Sequence, residues 1–195
     1  AEQRDNESRV GLTPDGAAVL LDQGFRITVE HSSSRVIPID AYAQKGCAIA
    51  AENSWPDAPS DAIVFGLKEL PDDGTPLVHR HIMFGHAYKG QSAGRLLLER
   101  FKAGGGTLYD LEYLTDNTGR RVAAFGYWAG FAGAAVAVEC WVAQSRGQYP
   151  DPIIPYPHAD VLTAALTSKM RALDAPMPDA LVVGALGRVG SGVSD

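Results

Sequence analysis

The sequence predicts an α/β fold with a largely parallel sheet, and three features carry that prediction. Helix-like and strand-like apolar patterns alternate along the 195 residues. The run Ala62-Ile-Val-Phe-Gly-Leu67 is apolar almost without interruption, as a parallel strand covered on both faces requires. Glycines and prolines fall between the patterned segments, where chain reversals belong.

Thr13-Pro14-Asp15 reads as an N-cap with proline at the first helical position, opening a helix over 14–23 that Gly24 stops. Residues 25–30 are strand-like, and 39–45 form a short helix ended by Gly46. Residues 47–50 and 61–68 are the next strands, followed by 81–87. An amphipathic helix over 92–103 closes on three glycines, and residues 107–113 return as a strand. Asp116-Asn117-Thr118-Gly119 is turn chemistry, so 120–125 is expected to come back as a hairpin arm. A long Ala/Gly-rich helix covers 127–145. Residues 149–157 hold four prolines and read as a linker, and a helix over 159–173 leads to a short buried strand over 179–184.

Composition narrows the function classes. The net charge of -6 supplies no basic face for nucleic acid. No apolar run reaches the roughly 18 residues a membrane span needs. Cys47 and Cys140 stand far apart without a CxxC arrangement, against a disulfide framework or a zinc site. The segment AEQRDNES lacks the character of a signal peptide. A reducing, cytoplasmic setting fits best.

Ligands of parallel α/β sheets collect beyond the carboxyl ends of the strands. Three strands here end in an ionisable side chain: Lys68, His86 and Glu112. Lys68 follows an apolar strand, where desolvation favours the neutral amine; it equally suits a lysine snorkelling to solvent. Alternation along His81-Ile-Met-Phe-Gly-His86 puts Ile82, Phe84 and His86 on one face, against packed apolar surface. Glu112 alone is as well explained by solvation or an ion pair. His31, His79, His81 and His158 have no metal-site spacing and read as structural or exposed. Arg120-Arg121 becomes a site only for a ligand that carries carboxylates.

The segment Gly184-Ala-Leu-Gly187-Arg188-Val-Gly190 follows the last strand and opens a helix, the context of a dinucleotide-binding turn, though its first spacing departs from G-x-G-x-x-G. A ligand-free tight turn explains the pattern as well. Residues 1–125 are therefore read as a Rossmann-like substrate domain. Residues 126–195 are read as a connecting helix, a linker and the first strand and turn of a second Rossmann domain that binds a dinucleotide. Both ends read as cut, so the chain is expected to be a fragment, inactive by itself.

Six stretches together resemble saccharopine dehydrogenases, the lysine-forming NAD enzymes: ESRVGLTP, GLKELP, PLVHRHIMFGHAYKGQ, GTLYDLEYL, GRRVAAFGYWAGFAGAA and VVGALGRVGSG. The match runs in order along the whole chain, and a weaker similarity to alanine dehydrogenase and transhydrogenase is expected. The resemblance implies oxidation of saccharopine by hydride transfer to NAD, then hydrolysis of the imine to L-lysine and 2-oxoglutarate.

By motif, Lys68 and His86 match the acid–base pair, and Arg9 and Arg121 match arginines that hold substrate carboxylates. Lys89, Gln91, Glu112 and Phe125 match pocket positions. Arg120 matches a residue reaching the cofactor, and Gly184, Gly187, Arg188 and Gly190 match the turn at its pyrophosphate. Glu112 is expected to keep Lys68 protonated or oriented. The implied protein is a monomer with a small-molecule substrate and neither nucleic acid nor membrane as partner. A residue choosing NAD over NADP would lie about 20 residues after the glycine turn. The alternatives are a saccharopine-forming reductase using NADPH, an enzyme of the alanine dehydrogenase type, and a catalytically silent ligand-binding homologue.

Overall fold

The computed structural model describes residues 1–5, 7–68, 70–174 and 176–194. Local chemistry fixes the first helix, α1 (Pro14–Asp22): the Thr13 hydroxyl accepts the Gly16 amide at 3.2 Å, and Gly24 takes φ 88° just beyond the last turn. Then come β1 (Thr28–Glu30), α2 (Ile39–Ala43), β2 (Ala48–Ala50), β3 (Ile63–Phe65) and β4 (Arg80–Met83). Next are α3 (Ser92–Gly104), stopped by left-handed Gly105, and β5 (Thr107–Asp110), which passes into a 3-10 turn, Leu111–Tyr113. α4 (Gly126–Ser145), α5 (Ala159–Arg171) and α6 (Arg188–Ser194) complete the described elements.

Among the described residues the named strands pair in parallel, as expected, but they are divided between two sheets, β1-β2 and β3-β4-β5. In the second sheet Phe65, Ile82 and Tyr109 lie in register. That face is open: Ile63, Phe65 and Tyr109 are each about half exposed, so β3 is covered on one face rather than two. The other face carries His81 and Met83 and packs with Leu97 and Phe101 of α3 and Leu77. Burying each of the large apolar side chains contributes roughly 1.5–3 kcal/mol. The first sheet has its own core of Ala17, Tyr42 and Cys47.

The chain divides into two units, Ala1–Ala123 and Ala124–Asp195. In the second, Lys169 of α5 pairs with Glu139 of α4 at 2.7 Å. Glycines let α6 lie against α4: a Cβ on Gly130 or Gly192 would overlap the backbone of the opposite segment.

Three sequence expectations need correction. Residues 179–184 do not form a strand, and Leu181 and Val183 are almost fully exposed. A parallel strand is held only by neighbouring strands, and the second unit has none among its described residues. Residues 120–125 make one antiparallel bridge, Thr115 to Arg121, instead of a hairpin arm. Asp116 takes over the polar groups of that turn, accepting the Thr118 and Arg120 amides on one carboxylate oxygen. Finally, alternation does not place His86. β4 ends at Met83, and His86 lies beyond it with φ 49°.

Candidate functional site

Because β3, β4 and β5 are parallel neighbours, their carboxyl ends share one edge, and the segments leaving that edge carry Lys68, His86 and Glu112. The Phe84 amide still donates to the Leu67 carbonyl at 3.2 Å, so the β3 and β4 exits start side by side. Lys68 and His86 are both half-buried.

Glu112 is the hub of the edge. Its carboxylate receives Lys89 Nζ at 2.7 Å and Arg121 at 3.2 Å on Oε2, and His86 Nδ1 lies 3.5 Å from Oε1. The Glu112 side chain is only 10% exposed. The hydrogen bond from Lys89, reinforced by the charges of Arg121 and His86 and opposed by desolvation, holds its carboxyl below the usual carboxylate range. Four of the residues singled out from sequence thus meet at one carboxylate. The charge of Lys68 acts on a second carboxylate, that of Glu7, and helps to lower its pKa.

Arg9 sits with that second carboxylate. Its Nε donates to Glu7 Oε1 at 2.8 Å, its NH2 pairs with Oε2 at 2.5 Å, and its own amide also donates to Glu7. Glu7 is buried, and the Arg9 hydrogen bond dominates desolvation to lower its pKa. Glu2 adds a third anion, accepting the amides of Leu67 at 2.7 Å and Lys68 at 3.0 Å. The edge therefore offers Lys89, His86, Arg9 and Arg121, each beside a carboxylate, together with the amine of Lys68. Such a set suits a small anionic ligand whose chemistry moves protons.

Gln91 caps α3 without a side-chain hydrogen bond and lines an open cavity of about 440 Å³ with Ala87, Gly90, Ser92 and Arg95. A larger groove of about 660 Å³ runs along α5 and includes none of these groups. Arg120 is exposed; its backbone is tied to Asp116, whose carboxyl pKa its charge also helps to lower. Phe125 belongs to the second unit, at the start of α4. So does the glycine turn, where Gly184 has φ 82°, the Gly187 amide closes on the Gly184 carbonyl at 2.9 Å, and α6 begins at Arg188. A Cβ on Gly190 would overlap that carbonyl. The turn has the close backbone packing and the helix start that a pyrophosphate-binding loop needs.

Sequence reasoning missed Glu2, Glu7 and Asp110. Glu7 stands two residues before Arg9, a spacing that puts both on one side of extended chain. Asp110 closes β5 and caps the following 3-10 turn through the Glu112 amide, a helix-start signal readable in Tyr-Asp-Leu-Glu.

Residues 1–132 match the family described as alanine dehydrogenase/PNT, N-terminal domain. Saccharopine dehydrogenase (NAD(+), L-lysine-forming) of Emericella nidulans is 45% identical over 199 residues, covering 98% of this chain and 53% of that protein. The chain spans about half the length of the curated relatives it matches. Among solved structures, the transhydrogenase from Sinorhizobium meliloti superposes with a TM-score of 0.56 at 17% identity, over 73% of this chain and 42% of the other. An L-alanine dehydrogenase does so at 0.51 and 22% identity, over 75% and 40%. At such identities the two structures speak for the α/β fold alone.

Proposed function

Since the chain belongs to the alanine dehydrogenase/PNT N-terminal domain family, we propose that it is the substrate-binding part of an NAD-dependent saccharopine dehydrogenase. That enzyme cleaves saccharopine oxidatively to L-lysine and 2-oxoglutarate. The observation that carries this reading is the gathering of His86, Lys89 and Arg121 around Glu112, on the edge that also bears Lys68. The 45% identity to a lysine-forming relative supports saccharopine as the substrate.

Saccharopine carries three carboxylates, and Arg9 and Arg121 supply forks that bind them bidentately. Lys89 and Gln91 line the pocket. Lys68 and His86 move the protons. One leaves the secondary amine as its α-carbon loses hydride, two leave the water that adds to the imine carbon, first on attack and then as its hydroxyl becomes the carbonyl, and two reach nitrogen, which departs as the amine. Glu112 and Glu7 keep the surrounding cations ordered and limit the net positive charge of the site. NAD, when bound, supplies the hydride acceptor. The close-packed glycines at 184, 187 and 190 support a place for its pyrophosphate at Gly187 and Arg188, and Arg120 is a further cofactor residue. Residues 1–125 form the substrate domain and 126–195 lead into the cofactor domain. The protein works as a monomer in the cytoplasm, where its two separate cysteines stay reduced.

The test follows NADH formation by the full-length protein at 340 nm. Saccharopine with NAD should give NADH together with equal lysine and 2-oxoglutarate. Alanine with NAD, or lysine and 2-oxoglutarate with NADPH, should support little turnover. A preference for either of those pairs would replace this reading with the corresponding rival, and saccharopine binding without any turnover would make the protein a silent homologue.

A further inference from the structure

The backbone at His86 is held in a conformation that few side chains adopt. Its φ of 49° lies in the left-handed region, where a Cβ crowds the following carbonyl. Such backbone persists only where the surroundings enforce it. Here the enforcing group is a single carboxylate 24 residues further along the chain. The amide of Gly85, just before His86, donates to Asp110 Oδ1, and the amide of Ala87, just after it, donates to Oδ2, each at 3.3 Å. The two flanking peptides therefore turn toward one anion, and the residue between them is forced into the left-handed bend.

Asp110 reaches the other half of the pair as well. Its Oδ1 also accepts the Glu112 amide at 3.0 Å, as the cap of the 3-10 turn that presents Glu112. The residue is itself fixed, because it ends β5 in register with Met83 of β4, a buried position. One carboxylate on a rigid strand end thus sets the backbone of both residues whose side chains stand 3.5 Å apart, His86 Nδ1 and Glu112 Oε1. A cap for the 3-10 turn alone would explain the bond to Glu112. It does not explain the two bonds that straddle His86.

We propose that Asp110 is the positioning residue of the site, aligning the His86 imidazole with Glu112 through three backbone amides without touching substrate. Its effect on turnover rests on the saccharopine dehydrogenase reading; its effect on the backbone does not.

The experiment measures both in the full-length protein and in the Asp110→Asn and Asp110→Glu variants. The three-bond coupling between the α proton of His86 and the carbonyl carbon of Gly85 separates positive from negative φ. In the unsubstituted protein it should have the left-handed value. In Asp110→Asn, where an amide group replaces one acceptor with a donor, it should move toward an averaged value, and the Gly85 and Ala87 amide protons should shift upfield. The kcat for saccharopine should fall about 10–100-fold while KM changes by less than about 3-fold, the range for supporting partners of reacting groups. Asp110→Glu keeps the charge but not the reach, and it should show the same loss.

A negative-φ coupling for His86 in the unsubstituted protein overturns the proposal, and that measurement needs no variant to fold. Unchanged kcat in a folded Asp110→Asn or Asp110→Glu variant overturns it too. If the unsubstituted protein does not turn saccharopine over, the functional reading fails separately, and the couplings still decide the role of Asp110.

Discussion

Replacing His86 by glycine should give a more stable protein than replacing it by alanine, the reverse of the usual order. Both variants delete the imidazole and its contact with Glu112, so the comparison isolates the backbone. At φ 49° an L-residue costs about 1–2 kcal/mol relative to glycine. Against this, glycine has the more flexible unfolded chain, worth roughly 0.5–1 kcal/mol in favour of alanine. The net expectation is about 0.5–1 kcal/mol in favour of glycine, a few degrees in melting temperature for a domain of this size. Urea titrations of the two variants, followed by tryptophan fluorescence and far-ultraviolet circular dichroism, measure the difference. The sign decides. At an ordinary negative φ the glycine variant would be the less stable by roughly 0.5–1 kcal/mol, and that result would refute both the left-handed bend and the role given to Asp110.

Other expectations follow from the same contacts. Buried His81 has its pKa depressed to about 4, by desolvation first and then by His79 and Arg100. The fold therefore holds it neutral while the unfolded chain takes up a proton near 6.5, and stability is lost as pH falls from 6.5 toward 4. Between about pH 7 and about pH 5 that loss should be about 2 kcal/mol; urea melts of His81→Leu should lack it, and an identical slope in the variant would contradict the assignment. Arg9→Met leaves the Glu7 carboxylate buried without its strongest donor and should cost about 1–3 kcal/mol at neutral pH. The cost should shrink as acid protonates Glu7, because its depressed folded pKa gives stability that is lost as pH falls. Gly104→Ala would drive a Cβ into the Leu77 carbonyl and should destabilise by about 2–3 kcal/mol in thermal melts, whereas Gly105→Ala meets open space and carries only the cost of its left-handed φ.

What could be read from sequence was set by short range. The Thr13-Pro14 start of α1 and the glycine stop of α3 involve groups within four residues of one another, and both appear as expected. The parallel strands and the ionisable residues at their ends were legible because pattern and topology fix which edge they share. The failures at 179–184 and at His86 involve distance along the chain, whereas the hairpin arm at 120–125 is lost to the local bonds of Asp116. Residues 179–184 have the composition of a strand, but strand structure depends on partners that composition does not contain. His86 departs from alternation because of Asp110, 24 residues away. The pairing of Lys89 and Arg121 with Glu112 depends on how a 3-10 turn and the bridge at Thr115 aim three side chains. No local spacing encodes that.

The central claim is that Lys68 and His86 act as one proton-transfer unit on saccharopine. It is tested most directly by turnover of the full-length protein carrying Lys68→Met, His86→Gln, and both. Each single substitution should lower kcat by about 10²–10⁴-fold, and the double should fall little further than the worse single, because groups that act together are not additive. Full kcat in either single variant, or losses in the double that simply multiply, would contradict it.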